Sequence, residues 1–587
     1  MVKTAADREI FMVQTDRSSG GTLVVPPEKK YIAYLILMIA AQVAVLIYFG
    51  ARKAGFHEDV FYSYFSSNRS AGLYTPDGEW VDTETILNEF RVLPGERFHF
   101  GTVKLVQSWD VHPPLWYFLL HFACSLSAGV FSKWQGLTVN IVGFVIAQLL
   151  LAKLSRLVMR TADRGGMYRG DEVQEKGLFG LSRDQLGALA VVAAWGFSPA
   201  AVSAVMFIRM YVWLTVFILA MLILHVRFLQ MLREPSVNSL RREYLRLFIS
   251  MTVVSFLGFM TQYYYLIALF FAGIYTAIVL LRYLVTAVKE SDRKMFLRLA
   301  GFYVCSQAAA GIIGVLYYPA ALSHIFRGYR GKEAQAEFLN IGNTFGRVRA
   351  FFSLVSRYAF GGWMLVFLIA ALAAAVAAAV VKKVRIRQEV RLLIVVCAGY
   401  FLAVAKTGLI LGETSIRYEI PICPVFILLI LCGLSAFQVR IAKYLPVAAA
   451  VLLLVLDLAG LVGGRVLFLY PENEARITFA REHCEEPAIL LFNPQSPDHV
   501  WWIPDVLLQY PKVYFLSEGS AVHNVEQLRE AVRDAGRGAV IYAADAENRD
   551  LLIGDLAEAI REEQGSMPEI RSVDQHAMWT TYYLKVK

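Results

Sequence analysis

The feature that most constrains this chain is a series of apolar segments, each close to 20 residues long. A helix of about 20 apolar residues crosses the roughly 30 Å hydrocarbon layer of a membrane. Of the 587 residues, 57% are hydrophobic and only 18% are charged, and the mean hydropathy is +0.49. These values exclude a soluble globular protein, and segments of this length exclude a barrel of short strands. The sequence predicts an α-helical polytopic membrane protein with about 11 transmembrane helices, at residues 31–50, 137–158, 185–207, 210–230, 247–262, 264–284, 298–319, 361–381, 392–411, 420–437 and 444–465.

The distribution of basic residues predicts the orientation of these helices. Lysine and arginine are enriched in cytoplasmic loops, and here they cluster in every second loop. With those loops in the cytoplasm, residues 1–30 form a cytoplasmic N-terminal segment and the C-terminus lies outside. The apolar segment 113–131 must then make no net crossing, so we expect an interfacial or re-entrant helix there. The net charge of +9 follows from these loops, and no nucleic-acid-binding motif points to another cause.

The composition divides the chain into a membrane domain, 31–465, and a C-terminal domain, 466–587. The membrane domain carries long external loops at 51–136 and about 320–360. After about Gly464 the apolar runs shorten to the length of strands, at 488–492, 512–516, 539–544 and 580–586. Two segments between them, 524–536 and 548–565, have helical periodicity and end in glycine. We therefore expect a small extracytoplasmic α/β domain that covers the outer face.

Residues that could carry chemistry lie at the outer ends of the predicted spans or in the outer loops. On the predicted topology they all face one side of the membrane, at the depth of the lipid headgroups. If the helices pack as a bundle, these residues converge on one outer cavity. The candidates are Glu58 and Asp59; His112, which follows Asp110; Arg209 and Tyr211; Tyr263 and Tyr264; Arg327 and Arg330; and Arg417 and Tyr418.

This set of side chains suits the transfer of a group from a lipid-linked phosphate. Guanidinium groups bind phosphate oxygens in a bidentate manner, most strongly where water is scarce. A carboxylate opposite them suits a general base that takes the proton of an attacking hydroxyl or amine. The arginines would then stabilise charge on the departing phosphate.

Each candidate also has a plainer interpretation. Asp59 at a helix end could be a capping or solvated residue, and His112 before two prolines could simply begin a helix. Arginines and tyrosines at this depth could be membrane anchors, and Arg327 and Arg330 could be solvated loop residues. Glu58 is adjacent to Asp59, so on a helix the two side chains point about 100° apart and are poorly placed to act as a carboxyl pair.

Two ionisable residues fall inside predicted spans, Lys406 and Asp457. Ionisable groups are costly there and are functional candidates by default. Lys406 lies in the outer half of its helix, where it could reach a phosphate. Asp457 lies in mid-span, and we interpret it as a helix–helix contact.

Five segments carry a resemblance to a known group of membrane enzymes. They are GFHEDVFYSY, DVHPPLWYFLLH, FIRMYVWLTVF, GFMTQYYYLIALFF and RYEIPICP, in that order within about 31–440. Together they resemble the GT-C superfamily of integral-membrane glycosyltransferases, in particular the family 39 group of protein O-mannosyltransferases and bacterial lipid A aminoarabinose transferases. The resemblance implies a sugar donor on a polyprenyl phosphate, inversion at the anomeric carbon, and an acidic base at the start of the first external loop. It also implies a bacterial plasma membrane as the location.

The chain departs from this family at one position. The family motif usually has two acids, Asp-Glu; the alignment places Asp59 on the first and Val60 on the second. Asp59 therefore remains the expected base, and no residue of this chain is assigned the role of the second acid.

We expect an inverting glycosyltransferase that moves a sugar from a polyprenyl-phosphate donor to an extracytoplasmic acceptor, which could be an envelope glycan, a lipid or a protein. Arg209 and Arg417 are expected to hold the phosphate, with His112 and Lys406 as further candidates. No cofactor is expected; some GT-C enzymes use a divalent metal, and a metal stays open. Two alternatives remain: a flippase for lipid-linked sugars, and a polymerase or ligase that uses a pyrophosphate-linked donor. The sequence shows no internal repeat of the kind transporters have, which favours the enzyme.

Overall fold

The computed structural model describes residues 27–68, 76–163, 180–233, 240–287, 289–382, 385–436, 445–521, 524–544, 548–575 and 579–586. Several predicted features lie partly outside the described residues: the N-terminal segment (1–26), the first external loop (69–75), the longest cytoplasmic loop (164–179) and the link between the last two spans (437–444).

The described chain forms 24 α-helices and six strands. The helices are α1 (Pro27–Arg52), α2 (Glu58–Asn68), α3 (Thr83–Asn88), α4 (Phe100–Trp109), α5 (Leu115–Leu126), α6 (Lys133–Asp163), α7 (Arg183–Gly196), α8 (Pro199–Met206), α9 (Tyr211–Arg233), α10 (Leu240–Thr261), α11 (Tyr265–Thr286), α12 (Glu290–Tyr317), α13 (Ala320–Phe326), α14 (Tyr329–Leu339), α15 (Thr344–Ala359), α16 (Met364–Lys382), α17 (Gln388–Thr407), α18 (Cys423–Ser435), α19 (Leu445–Val462), α20 (Asn473–Glu482), α21 (Pro504–Leu507), α22 (Glu518–Ala521), α23 (Val525–Val532) and α24 (Arg549–Gln564). The strands are β1 (Glu79–Asp82), β2 (Ala488–Phe492), β3 (Lys512–Ser517), β4 (Gly538–Ala544), β5 (Glu569–Gln575) and β6 (Trp579–Lys585).

The predicted helical membrane fold is confirmed. Within the described ranges, 9 helices are long and apolar enough to cross a membrane, and 2 bent helix pairs pass the same test together, which gives 9 to 11 spans. Each predicted span corresponds to one of these helices or pairs, with ends that differ by up to about eight residues. The protein is therefore a helical polytopic membrane protein with a small sheet near its C-terminus.

Both bent spans have a cause in the sequence. The helix α7 ends at Gly196, and the Ser198 side chain then accepts a hydrogen bond from the Ala201 N–H at 3.1 Å. With Pro199 in the first turn, this is a new helix start, and α8 leaves at 57° to α7. The second break, of 48°, separates the 3-10 turn Gly412–Tyr418 from the segment Ile420–Ser435, in which Pro421 interrupts the backbone hydrogen bonds.

The apolar segment 113–131 forms the short helix α5. Its 12 residues span about 18 Å, which is too short to cross a membrane. The expectation that this segment adds no crossing agrees with its length. Its placement as an interfacial or re-entrant helix stays a prediction.

The C-terminal sheet has the strand order β1-β3-β2-β4-β6-β5. The four strands predicted from the sequence agree with β2, β3, β4 and β6 to within one residue at each end. Strand β5 was not predicted because most of its residues are exposed, so it has no apolar run. Strand β1 was not predicted because it has only 4 residues and lies in the first external loop. It pairs antiparallel with β3, so the sheet combines both predicted domains.

The two faces of the sheet pack against different parts of the protein. On β2, Ile489 and Leu491 belong to a core shared with α23 and α24. The alternate residues Leu490 and Phe492 belong to the main core, which continues into the membrane helices. Since alternate strand residues point to opposite faces, the sheet lies between two layers. Its inner face holds the C-terminal domain against one end of the bundle.

The close packing at Gly136 predicts that a larger residue at this position would destabilise the fold. A Cβ atom on Gly136, in α6, would lie 2.1 Å from Cγ2 of Ile208, and the Gly136 N–H donates to the Tyr64 hydroxyl at 3.0 Å. Overpacking at such a site costs about 1–3 kcal/mol. We expect Gly136→Ala to lower the melting temperature by a few degrees in differential scanning fluorimetry. Gly311→Ala is the matched control because no atom lies within 4 Å of its added Cβ; an equal loss in both variants would contradict the prediction.

Candidate active site

The centre of the candidate site is the Asp59 carboxylate, which lies between two arginine side chains. Oδ1 is 3.9 Å from Nη2 of Arg209, and Oδ2 is 3.4 Å from Nη1 of Arg417. The arginine side chains are only 5% and 4% exposed, whereas that of Asp59 is 30% exposed. Two buried cations thus hold a carboxylate that a second molecule can reach.

Arg209 lies in the short link between α8 and α9, and several groups fix its position. Its Nη1 donates to the Asp59 carbonyl (3.1 Å), the Ser63 hydroxyl (3.0 Å) and the Tyr117 hydroxyl (3.1 Å). Its Nη2 lies 3.2 Å from Nε2 of His112. These partners come from α2, α5 and the loop before α5, so the guanidinium connects three parts of the chain.

Arg417 ends the 3-10 turn before the second bend, and aromatic rings surround it. Its Nη2 donates to the Tyr418 hydroxyl at 3.2 Å. Its guanidinium lies 5.3 Å from the ring centre of Phe207 and 5.1 Å from that of Tyr418, within the range of cation–π attraction. Tyr211 and Tyr264 each make an edge contact with Tyr418. These rings help to bury the Arg417 guanidinium, whose side chain is only 4% exposed.

Each arginine retains one donor that is buried and without a hydrogen-bond partner in the structure, its Nε. A guanidinium has five N–H groups in a planar fork, and an unsatisfied buried donor is costly. An anion placed between the two arginines could accept from both of these groups.

The histidines next to the arginines act as acceptors. A guanidinium only donates, so Nε2 of His112 accepts and its proton is on Nδ1, which lies 2.9 Å from Oδ2 of Asp110. His57 has Arg417 Nη1 at 3.3 Å from Nε2 and the Asp59 N–H at 3.1 Å from Nδ1. A neutral imidazole accepts at one nitrogen only. The tautomer protonated at Nδ1 satisfies Arg417 and also faces the Glu58 carboxylate at 3.2 Å.

The local charges set opposite pKa shifts in the two neighbouring acids. Burial alone would raise the pKa of Asp59, but Arg209 and Arg417 outweigh it and hold that pKa well below its usual range. Burial and the charge on Asp59 raise the pKa of Glu58 to about 7. Burial lowers the pKa of His57 to about 3, so His57 is neutral. Asp59 is therefore ionised at neutral pH, whereas the Glu58 carboxyl is protonated in a fraction of the molecules.

The structure brings together eight of the sequence candidates: Glu58, Asp59, His112, Arg209, Tyr211, Tyr264, Arg417 and Tyr418. Val60, at the position of the second family acid, is fully buried. No other carboxylate takes its place on α2, because Glu58 lies on the other side of Asp59 along the chain.

The remaining candidates have other surroundings. Lys406 donates to the carbonyl of Asn340 and to Oδ1 of Asn343 (2.5 Å), so it joins α17 to the second external loop. The Tyr263 hydroxyl lies 3.0 Å from Nδ1 of His324, in a small separate apolar cluster. Arg327 is exposed. Arg330 pairs with Glu333 at 3.1 Å on the surface.

Asp457 is fully buried, and both carboxyl oxygens lack a hydrogen-bond partner in the structure. It lies one turn before Gly460, whose added Cβ would meet the Pro199 ring. The interpretation of Asp457 as a helix–helix contact stays a prediction.

Three residues of the site were not selected from the sequence: His57, Ser63 and Tyr117. His57 and Ser63 lie in the same motif as Asp59, so proximity in sequence was a usable signal. Tyr117 lies on α5, where Trp116, Leu120 and His121 are also buried. Its hydroxyl contact with Arg209 had no signal, since it depends on how α5 packs against the bundle.

The residues around Asp59 do not fit a divalent cation. Both carboxyl oxygens face guanidinium groups, which would repel a metal ion. In the part of the chain that the structure describes, no group of 3 or more His, Cys, Asp and Glu side chains could hold a metal. Independence from metal stays a prediction.

Comparison with known proteins gives a likeness in fold alone. No family model and no curated protein match the chain, but solved structures do. One is ArnT from Cupriavidus metallidurans bound to undecaprenyl phosphate, at 14% identity and a TM-score of 0.46, covering 94% of this chain and 98% of that one. Another is the Archaeoglobus fulgidus oligosaccharyltransferase in complex with Zn and sulfate, at 12% identity and a TM-score of 0.44, covering 90% and 70%.

Both neighbours are glycosyltransferases of the GT-C superfamily, the group that the five sequence motifs resemble. With TM-scores below 0.5, these two structures give no information about the activity, ligands or residue roles of this protein.

The raised pKa of Glu58 predicts a pH-dependent contribution to stability. The folded chain holds this proton more tightly than the unfolded chain does, whose carboxyl has a pKa of 4.5. The stabilisation is therefore complete below about pH 4.5 and is lost as the pH rises through about 7. Relative to the wild type, Glu58→Gln should gain stability between about pH 5 and pH 8. Because 42% of the side chain is exposed, solvent screening keeps the gain to ~1–2 °C in melting temperature.

The readout is the difference between the two melting curves across the pH range, which cancels other titrating groups such as Asp505. Glu485→Gln, at an exposed carboxyl, is the control and should run parallel to the wild type. A Glu58→Gln difference that is constant with pH would contradict the prediction.

Proposed function

We propose that this protein is an inverting glycosyltransferase of the plasma membrane. It moves a sugar from a polyprenyl-phosphate donor to an extracytoplasmic acceptor, with Asp59 as the general base and Arg209 and Arg417 as the phosphate site. The five motifs of the sequence suggest the class of reaction. The geometry around Asp59 supports the assignment of roles.

One observation carries the proposal: the two buried guanidinium groups that flank Asp59 each have an unpartnered Nε. Structural ion pairs normally use up their donors, because unsatisfied buried donors are costly. Two buried N–H donors without partners, beside a partly exposed carboxylate, are the features expected of an empty anion-binding site. A phosphate monoester or diester is the anion whose geometry fits two arginine forks.

The reaction balances with these groups alone. A hydroxyl or amine of the acceptor attacks the anomeric carbon of the donor sugar, and its proton passes to Asp59. The new bond joins the acceptor atom to the anomeric carbon, while the bond from that carbon to the phosphate oxygen breaks. The lipid phosphate leaves with the electron pair, and Arg209 and Arg417 stabilise its charge. Attack from the face opposite the phosphate inverts the anomeric centre.

The depressed pKa of Asp59 suits this role only when the donor is bound. Without donor, the two arginines hold the carboxylate ionised and make it a weak base. A bound phosphate would draw the same guanidinium charges to itself, so the pKa of Asp59 would rise toward its ordinary value. Donor binding would thus activate the base.

Removing the carboxylate tests the base. Asp59→Asn keeps the shape of the side chain but cannot take a proton, so we expect release of polyprenyl phosphate to fall by roughly 10²–10⁴-fold. The measurement uses purified full-length protein in nanodiscs, a panel of polyprenyl-phosphate sugars, and a lipid extract of the cell envelope as acceptor. Asp550→Asn, at an 86% exposed side chain, is the control.

Turnover by Asp59→Asn at the wild-type rate would contradict the assignment. Wild-type protein that releases no lipid phosphate in detergent, yet moves lipid-linked sugar between the leaflets of a vesicle, would identify a flippase. Activity with pyrophosphate-linked donors only would identify the polymerase or ligase alternative.

Replacing the Arg417 guanidinium by an ammonium group tests the phosphate site. Arg417→Lys keeps the charge but removes Nε and the planar donor pair, and a hydrogen bond to a charged group is worth about 1.5–3 kcal/mol. We expect kcat/KM for the donor to fall roughly 10–100-fold and the affinity for free polyprenyl phosphate to fall in parallel. Arg571→Lys, on the surface of β5, should leave both values unchanged. Unaltered phosphate affinity in Arg417→Lys would exclude Arg417 from the site.

A further inference from the structure

A small cleft lies between α2 and the C-terminal domain, and Glu58, next to Asp59 in the chain, is part of its lining. Its volume is about 30 Å³, so a ligand larger than water would sit largely in its solvent-exposed mouth. Four aromatic residues line it, all of them partly exposed: Phe56, Tyr470, Trp502 and Trp579. We call it the interdomain pocket, because Phe56 belongs to the first external loop and the other three to the C-terminal segment.

The polar lining of the interdomain pocket is Glu58, Asn473, Arg476 and Asp505. Arg476 donates from Nε to Asp574 at 2.6 Å, and its guanidinium lies 5.4 Å from the Trp579 ring centre. Its charge is therefore already neutralised. Asn473 donates to Oδ2 of Asp505 at 2.6 Å, which leaves the Asn473 amide oxygen for other contacts. The lining is rich in acceptors and presents no unneutralised cation among the described residues.

The pocket is connected directly to the helix that carries the base. The Trp502 Nε1–H donates to the Tyr62 hydroxyl at 2.8 Å, and Tyr62 lies on α2, three residues after Asp59. Glu58 and Asp59 lie 3.2 and 3.7 Å from the same nitrogen, Nδ1 of His57. A molecule that contacts Glu58 from the interdomain pocket thus lies next to the Asp59 carboxylate.

This lining selects for one class of ligand. An anion would face two carboxylates, and a lipid chain would bury them without partners. Aromatic faces pack well against the apolar C–H surface of a sugar ring, while carboxylates and amides accept hydrogen bonds from its hydroxyls. Aromatic side chains beside a few convergent polar groups are the kinds of residue that small-ligand sites use.

We propose that the interdomain pocket binds the acceptor and that the acceptor is a neutral carbohydrate, with one hydroxyl directed at Asp59. The acceptor role rests on the proposed glycosyltransferase function; binding of carbohydrate does not. The pocket joins the two predicted domains at the reaction centre, so the C-terminal domain selects the substrate.

The test measures carbohydrate binding apart from catalysis. Full-length protein in nanodiscs, free of glycoside detergents that would compete, is titrated with maltotriose, cellotriose and chitotriose while tryptophan fluorescence is recorded. We expect saturable quenching by at least one of them. Trp579→Ala should weaken that binding roughly tenfold or more, and Trp579→Phe, which keeps a ring, clearly less. Trp363→Ala, at a 53% exposed tryptophan of the membrane domain, is the matched control and should bind as the wild type does.

A second variant is used if the Trp579 substitution disturbs the folding of strand β6. If Trp579→Ala melts below the wild type by more than the control does, Tyr470→Ala takes its place with the same expected loss. Where transfer is observed, either variant should raise the KM for acceptor about tenfold with an unchanged KM for donor.

Failure of this proposal is distinguishable from failure of the proposed function. Asp59→Asn should bind the oligosaccharide as well as the wild type while releasing no lipid phosphate. Binding that persists in a protein without any transferase activity would overturn the acceptor role only. Absence of saturable quenching, binding unchanged by the pocket variants, or binding of a peptide in preference to every oligosaccharide would overturn the proposal.

Discussion

The candidate site depends on one interaction, the Asp59 carboxylate held between the guanidinium groups of Arg209 and Arg417. Both arginines are almost wholly buried, and a buried charge without a partner costs several kcal/mol. Asp59 is the ion-pair partner of both cations and balances one of the two positive charges. Neutral acceptors, among them His57, His112 and the Tyr117 hydroxyl, satisfy most of the remaining donors. One Nε on each arginine has no hydrogen-bond partner among the described residues, and on the proposed function the donor phosphate would supply it.

This arrangement requires irregular backbone at the outer ends of two spans. Arg209 follows α8, which begins at a serine cap and a proline, and Arg417 precedes Pro421. Both residues lie where the chain leaves a regular helix, so their backbones can turn the side chains inward. The position of α2 is set from the other side, because the sheet of the C-terminal domain takes β1 from the first external loop. The inner face of that sheet shares the core of the bundle, which brings Tyr470 and Trp502 beside Glu58.

Much of the fold could be predicted because it is encoded locally. The apolar runs identified 11 spans, and four strands of the sheet were identified by short buried runs. Strands β1 and β5 were missed because neither carries an apolar run of its own. Among the site candidates, the arginines at span ends were found by position. Lys406 and Tyr263 met the same criterion, yet they contact Asn343 and His324 instead of the Asp59 cluster.

The order of apolar and polar residues is enough to identify a helical membrane protein, to locate its spans and to select polar residues near their ends. These properties follow from hydrophobic runs and charge positions, which belong to short segments. Which of the selected residues meet is apparent only from the folded chain. Asp59 and Arg417 are more than 350 positions apart, and their 3.4 Å contact depends on two bent spans, on helix packing and on a sheet built from both domains. Side-chain contacts at such separations depend on the shape of the whole core, which no local pattern contains.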